Sequence, residues 1–245
     1  TGGHFVRPDA KVRNWITRNG EPGPSGIGSF KAEPGRYHLY IANSCPWAHR
    51  TMIFRLLKGL EDMVSVSVVN AISGVNGWTF QDGHGVVPDP EFNASFLYEI
   101  YLKSDPSYTG MVTVPTLWDK AQKKLVSNES SEIIRMFNSA FDGVGALEGD
   151  YYPEVLRGEI EEVNELVYGA VNNGVYRVGF AMSQEAYEEA YIKLFDALDQ
   201  LDERLASHTY LTGERLTEAD WRLFTTLVRF DYVYYGAFRC NERRI

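Results

Sequence analysis

The sequence predicts an α/β domain followed by an all-α domain, and three observations predict it. A strand–helix–strand run begins at Arg36, reading RYHLYIA, then CPWAHRTMIFRLLKGL, then MVSVSVVN. Two more short strand patterns, VTVPTLWD and KKLVS, follow it. Beyond the Gly-rich, acidic stretch DGVGALEGDYYP no convincing strand pattern remains, while long helical repeats do.

Each element has its own signal. Residues 1–35 read as an N-terminal extension, with GEPGPSGIGSF as loop because Gly, Pro and Ser dominate it. RYHLYIA is rich in β-branched and aromatic residues and predicts a strand. The helix after it carries Trp47, Met52, Phe54, Leu56 and Leu57 as apolar positions, with Gly59 as its stop. MVSVSVVN predicts the second strand, and a strand–helix–strand order makes a parallel pair. AISGVNGWTFQDGHGVVPDPE is long for a loop, as functional loops often are. FNASFLYEIYLKS and NESSEIIRMFNSAF predict helices on either side of the two short strands. The order β-α-β-(loop, α)-β-β-α is that of a thioredoxin-like fold, over residues 36–142.

The second domain is expected over residues 150–245. EVLRGEIEEVNELVYGAVNNGVY predicts an amphipathic helix ending in its Gly/Asn stretch. SQEAYEEAYIKLFDALDQLDERL predicts a longer one, capped by Ser183, with Tyr187, Tyr191, Leu194, Leu198, Leu201 and Leu205 at helical spacing. In LTEADWRLF, Thr217 and Asp220 stand three apart, a capping box flanked by Leu216 and Trp221.

Composition narrows the function classes. The chain has 245 residues and is 44% hydrophobic, enough for a core in one large or two modest domains. A net charge of −9 argues against binding nucleic acid or an anionic membrane through the overall field. No apolar run is long enough to span a bilayer, and the N-terminus lacks the apolar core of a signal peptide. Two cysteines, Cys45 and Cys240, cannot build a disulfide framework. Two separate thiols in a soluble, cytoplasmic protein are expected over a single bridge between them.

In NSCPWAHR the strand gives way to helix at Ser44–Cys45, and Pro46 suits the first helical position. Cys45 then sits at the N-cap, where free N–H groups and the helix dipole stabilise a thiolate. The competing reading is a buried, inert cysteine. Three residues on stands Ala48, so there is no internal resolving thiol. A mixed disulfide at Cys45 therefore needs an outside thiol, for which glutathione is the obvious molecule. His49 is expected to point away from Cys45. Val114 before Pro115 fits a turn that offers backbone groups to a peptide-like ligand, though a strand-edge proline is the simpler account. Glu129 and Ser130 open a helix and suit an α-ammonium and a carboxylate, or plain capping. No metal site is expected.

The motifs ANSCPWAHR, GWTF, SDPSYTG, VTVPTLWD, NESSEIIRMFN, VNNGVYRVGFA, LTEADWRLF and CNERRI run in order along nearly the whole chain. This set resembles the glutathionyl-hydroquinone reductases, the Xi class of glutathione transferases. The resemblance implies a thioredoxin-like domain, an all-helical glutathione-transferase domain and a homodimer. It implies glutathione as co-substrate and Cys45 as nucleophile. Trp78, Val114, Glu129 and Ser130 match glutathione-binding positions of that family. Tyr168 and Tyr176 match the area of its hydroquinone pocket; without the family they would read as helix-packing residues. Two departures stand out. Met111 occupies a position that is usually Arg, and the family continues past CNERRI, so the helical domain is expected to be incomplete at Ile245.

The implied reaction is glutathione-dependent removal of glutathione from glutathionyl-hydroquinones, with quinone-derived small molecules as partners. Two rivals remain at this level. One is an omega-like thioltransferase or dehydroascorbate reductase; the other is a glutathione-fold binding protein without turnover.

Overall fold

The computed structural model describes residues 2–24, 26 and 28–245. The loop expected in GEPGPSGIGSF thus lies in part, at Ser25 and Ile27, outside the described residues. The chain divides into two compact units, one formed by Ala10–Gly149 and the other by the residues up to Asp9 together with Asp150–Ile245.

Ala10–Gly149 is built on a four-stranded mixed sheet. Its elements are the short strands β1 (Ile16–Thr17) and β2 (Phe30–Lys31), then β3 (Tyr37–Ala42), α1 (Pro46–Leu57), β4 (Val64–Val69), α2 (Leu97–Ser104), β5 (Thr116–Asp119), β6 (Lys124–Ser127) and α3 (Ser130–Ser139). The sheet order is β4-β3-β5-β6, while β1 and β2 pair separately. β3 and β4 are parallel, and β3–β5 and β5–β6 are antiparallel. Every residue of β3 is buried, as a strand with neighbours on both edges and covered faces should be.

Helix α1 buries Pro46, Ala48, Arg50, Thr51 and Phe54, whereas Leu56 is 54% exposed. Of the apolar positions named from the sequence, Phe54 is buried and Leu56 is not. The buried Arg50 lies with its guanidinium carbon 4.6 Å from the Trp47 ring centroid. Lys58, fully buried beyond the helix end, donates to Asp142 at 2.8 Å and to the Gly149 carbonyl at 2.6 Å. Gly59 follows with φ +61°, and a Cβ there would meet Leu147 at 2.7 Å, so the stop requires glycine.

FNASFLYEIYLKS is helical only from Leu97. Asp89, 3% exposed, accepts the N–H groups of Glu91, Phe92 and Ala94 and the Tyr40 hydroxyl, wrapping FNAS into a turn. Glu99 then closes the helix start by accepting the Phe96 N–H at 2.9 Å. The long loop between β4 and α2 is braced rather than free: Val68 pairs with Val87 and Thr79 with Phe96.

The second unit holds α4 (Arg157–Leu166), α5 (Gly174–Gly179), α6 (Gln184–Ser207) and α7 (Glu218–Leu227). Val167–Asn172 is a π-helical stretch that joins α4 to α5. The helical run ends in the Asn pair as expected, with Asn173 between Asn172 and the start of α5, but neither amide caps a helix. Asn172 instead donates to the Arg222 carbonyl and to Thr226, and Asn173 accepts from Arg7. Both amides serve tertiary contacts, so neither competes with the helix backbone. Ser183 caps α6, and Thr217 with Asp220 forms the capping box of α7. The core gathers Ile160, Val163, Val171, Val175, Leu194, Leu198, Leu201 and Leu223.

Residues 1–35 divide between the units. Val12 and Asn14 run beside the end of β6: the Val12 carbonyl accepts from Asn128, and Asn14 N–H donates to Val126.

Candidate active site

Strand direction brings the candidate residues of the first unit to one end of the sheet. Tyr40 of β3 faces Thr116 of β5, and Leu117 of β5 faces Ser127 of β6. The residues after β3, before β5 and after β6 therefore share an edge. These are Cys45, Val114 and the Glu129–Ser130 pair. β4 runs parallel to β3, so the loop bearing Trp78 leaves from the same edge.

Cys45 is the N-cap of α1, with extended backbone (φ −84°, ψ 119°), and Pro46 occupies the first turn. The thiol is half-buried. Its Sγ makes no side-chain capping hydrogen bond to the helix. It donates instead to the Val114 carbonyl at 3.4 Å. The reason is chemical: a protonated thiol is a donor and finds an acceptor, whereas only the thiolate can accept from helix N–H groups. Ala48 is fully buried one turn on.

The Val114–Pro115 peptide is cis, and the Val114 carbonyl stands beside Cys45. Glu129 caps α3, its Oε1 accepting from the Ser131 N–H at 2.9 Å and the Ser131 hydroxyl at 2.7 Å. Ser130, 3% exposed, is the first residue of that helix. Trp78 is half-buried and its carbonyl accepts from the Leu97 N–H at 2.9 Å. Met111 is 60% exposed, with its carbonyl accepting from the Tyr108 hydroxyl.

Tyr168 and Tyr176 lie in the second unit. Tyr168 is 45% exposed in the π-helical stretch. Tyr176 is on α5 within a ring cluster, 5.4 Å from Phe238, 6.1 Å from Phe180 and 6.2 Å from Tyr234 between centroids. Two residues that sequence reasoning passed over, Phe5 and Arg7, also reach Tyr176. They sit in what reads as a bare extension, and no periodicity marks them.

The second thiol differs in kind. Cys240 is fully buried, and burial pushes it up to about 12, so it stays protonated and inert at neutral pH. Both cysteines are free thiols. Among the described residues no group of His, Cys, Asp and Glu is placed to hold a metal ion, and no helix is long and apolar enough to cross a membrane.

Comparison with known proteins agrees with this architecture. The glutathione S-transferase N-terminal domain matches residues 44–140, and the glutathione S-transferase C-terminal domain matches residues 184–244. The chain is 57% identical to glutathionyl-hydroquinone reductase YqjG of Escherichia coli (strain K12), covering all of this chain and 75% of that protein. The glutathione-bound structure of YqjG superposes with a TM-score of 0.94 over 95% of this chain and 76% of that one, at 58% identity. Glutathionyl-hydroquinone reductase PcpF of Sphingobium chlorophenolicum is also 57% identical, over all of this chain and 75% of its own length. The glutathione S-transferase Xi of Phanerochaete chrysosporium gives a TM-score of 0.92 at 51% identity, over 98% of this chain and 80% of that one. With its lone N-cap thiol beside a backbone carbonyl in the first unit and its all-helical second unit, the chain belongs to the glutathione S-transferase family, and within it to the glutathionyl-hydroquinone reductases of the Xi class.

Proposed function

We propose that the protein removes glutathione reductively from glutathionyl-hydroquinones, with Cys45 as nucleophile. The observation that carries the reading is the lone thiol at the α1 N-cap, 3.4 Å from the Val114 carbonyl, with Ala48 where a resolving cysteine would stand. The Cys45 thiolate attacks the sulfur of the aryl thioether. The carbon–sulfur bond breaks, the ring carbon takes up a proton, and the hydroquinone leaves. Cys45 now holds a mixed disulfide with glutathione. A second glutathione thiolate attacks the glutathionyl sulfur, releasing oxidised glutathione and the Cys45 thiolate. The thioether is reduced by two electrons, and two glutathionyl sulfurs end as one disulfide.

Glutathione lies along the sheet edge in this reading. Val114 offers its backbone to the peptide portion, Ser130 and the first N–H groups of α3 hold the γ-glutamyl carboxylate, and Glu129 takes the α-ammonium. Trp78 covers the ligand from its loop. Tyr168 and Tyr176 face the aromatic portion, as phenols able to protonate the ring carbon. The protein works as a homodimer in the cytoplasm and uses no metal.

Purified protein supplied with glutathione and glutathionyl-menadiol is expected to yield menadiol and oxidised glutathione in equal amounts. Absence of menadiol with the wild-type chain overturns the reading. Preference by kcat/KM for dehydroascorbate over the thioether would transfer it to an omega-like reductase. The exposed Met111 gives a second check. Met111→Arg is expected to lower the KM for glutathione about fivefold, since a charge pair at an exposed site contributes roughly 1 kcal/mol. An unchanged KM would place position 111 outside the ligand's reach.

A further inference from the structure

The first residues of the chain are built into the helical unit. The Met182 N–H donates to the Gly3 carbonyl at 2.9 Å, and the Ser183 hydroxyl donates to the Gly2 carbonyl at 3.0 Å. Gly3 has φ +83°, and a Cβ there would meet Ser183 Oγ at 2.5 Å. Only glycine allows this approach. The segment is thereby anchored at the start of α6, and its next residues reach α5.

There Phe5 stacks near Tyr176, with centroids 6.4 Å apart and planes 26° apart, and meets Phe180 at 5.4 Å. The Arg7 guanidinium carbon lies 4.4 Å from the Tyr176 centroid and 5.6 Å from that of Phe5. The guanidinium does not rest there by stacking alone. Arg7 Nε donates to Asn173 Oδ1 at 2.7 Å. Asn173 is 4% exposed and stands at the N-cap of α5 without capping it. Its amide oxygen serves Arg7 instead. Asn173 and Tyr176 are three residues apart, so they share a helix face. One amide thus steers the planar cation onto one phenol ring.

We propose that Arg7 is a positioning residue of the reaction: held by Asn173, it fixes the Tyr176 ring, and the segment bearing Phe5 and Arg7 forms part of the aromatic-substrate pocket. This rests on the reading of Tyr176 as a pocket phenol. A planar cation on a ring face restricts both the tilt of the ring and the direction of its hydroxyl. Lysine cannot stand in, because an ammonium has neither the fixed Nε donor for Asn173 nor the flat face.

The test is a double-mutant cycle on the full chain with glutathionyl-menadiol. Arg7→Met is expected to lower kcat about tenfold, with the KM for glutathione unchanged within about twofold. Arg7→Lys is expected to recover less than half of the loss. In the Tyr176→Phe background, which keeps the ring and removes the hydroxyl, Arg7→Met is expected to change kcat less than about twofold. A parallel signature needs no turnover: the Arg7 side-chain proton signals should stand upfield in the NMR spectrum of the wild type and return to ordinary positions in Tyr176→Leu. Full additivity in the cycle overturns the proposal, as does a full-rate Arg7→Met beside a slow Tyr176→Phe. A full-rate Tyr176→Phe overturns the pocket reading itself and this proposal with it.

Discussion

Cys45→Ser is expected to lower turnover of glutathionyl-menadiol on the order of 10³-fold or more, with the fold intact. Serine suits the N-cap and can still donate to the Val114 carbonyl. What it loses is a sulfur able to leave as an anion and to form a disulfide. The N-cap is where that anion is best tolerated, because the first N–H groups of α1 have no helical partner and the dipole is positive there. Pro46 sharpens this by starting the helix immediately after the thiol. Intact-mass analysis after treatment with oxidised glutathione checks the same point. Wild type should carry one glutathionyl group, placed on Cys45, and Cys45→Ser none. The buried Cys240 should remain unmodified in both, since burial holds its thiol protonated. Equal turnover by wild type and Cys45→Ser would remove the thiol from the mechanism.

The second large effect is a pH dependence of stability centred on His38. This histidine is 1% exposed and is the second residue of β3. Ser67 donates to the Pro88 carbonyl at 2.9 Å, so its oxygen is left to accept from His38 Nε2–H at 2.8 Å. His38 Nδ1 then carries no proton and accepts from the Ser65 hydroxyl at 2.7 Å, a closer partner for Ser65 than the Tyr37 carbonyl at 3.5 Å. The neutral ring is thus satisfied at both nitrogens. Burial lowers its pKa to about 4, with Lys120 and Arg55 adding to the effect and Asp89 opposing it. Between about pH 6.5 and pH 4 the unfolded chain binds a proton that the folded chain refuses. Stability is therefore full above that window, falls as the pH drops through it, and changes no further from this group below it. The loss amounts to about 3 kcal/mol. His38→Gln lacks the titration. Urea unfolding of both chains at pH 7 and pH 4 should show wild type losing about 3 kcal/mol more than the variant. Parallel losses would mean that His38 accepts a proton in the folded state at no cost.

Much of the first unit was legible in the sequence because its signals are local. The turn from β3 into α1 needs only an apolar strand, a cysteine and a proline in succession, and Ala48 settles the absence of a resolving thiol by position alone. The caps at Ser183 and Thr217–Asp220 are equally short-range, and both form as their residue types demand. Signals failed where a residue serves a distant partner. Asn172 and Asn173 mark the boundary before α5, yet their amides serve Thr226 and Arg7 rather than a cap. FNAS read as helix, yet Asp89 takes its N–H groups first. Buried Arg50 and Lys58 on or next to α1 likewise defeat an apolar count.

The sequence by itself determined that one thiol stands at a strand-to-helix junction with no second thiol to resolve it. It also determined that helices alone make up the second half, since both facts follow from neighbours in the chain. Only the tertiary structure decided what the sulfur faces and what surrounds Tyr176. The first is set by the antiparallel pairing that carries Val114 to Cys45. The second is set by a glycine-dependent anchor that lays Phe5 and Arg7 onto a helix more than 160 residues away, Arg7 bonding Asn173 across a separation of 166. Contacts of that span leave no periodicity in the chain, because each partner's residue type is chosen by the other and not by its own neighbours.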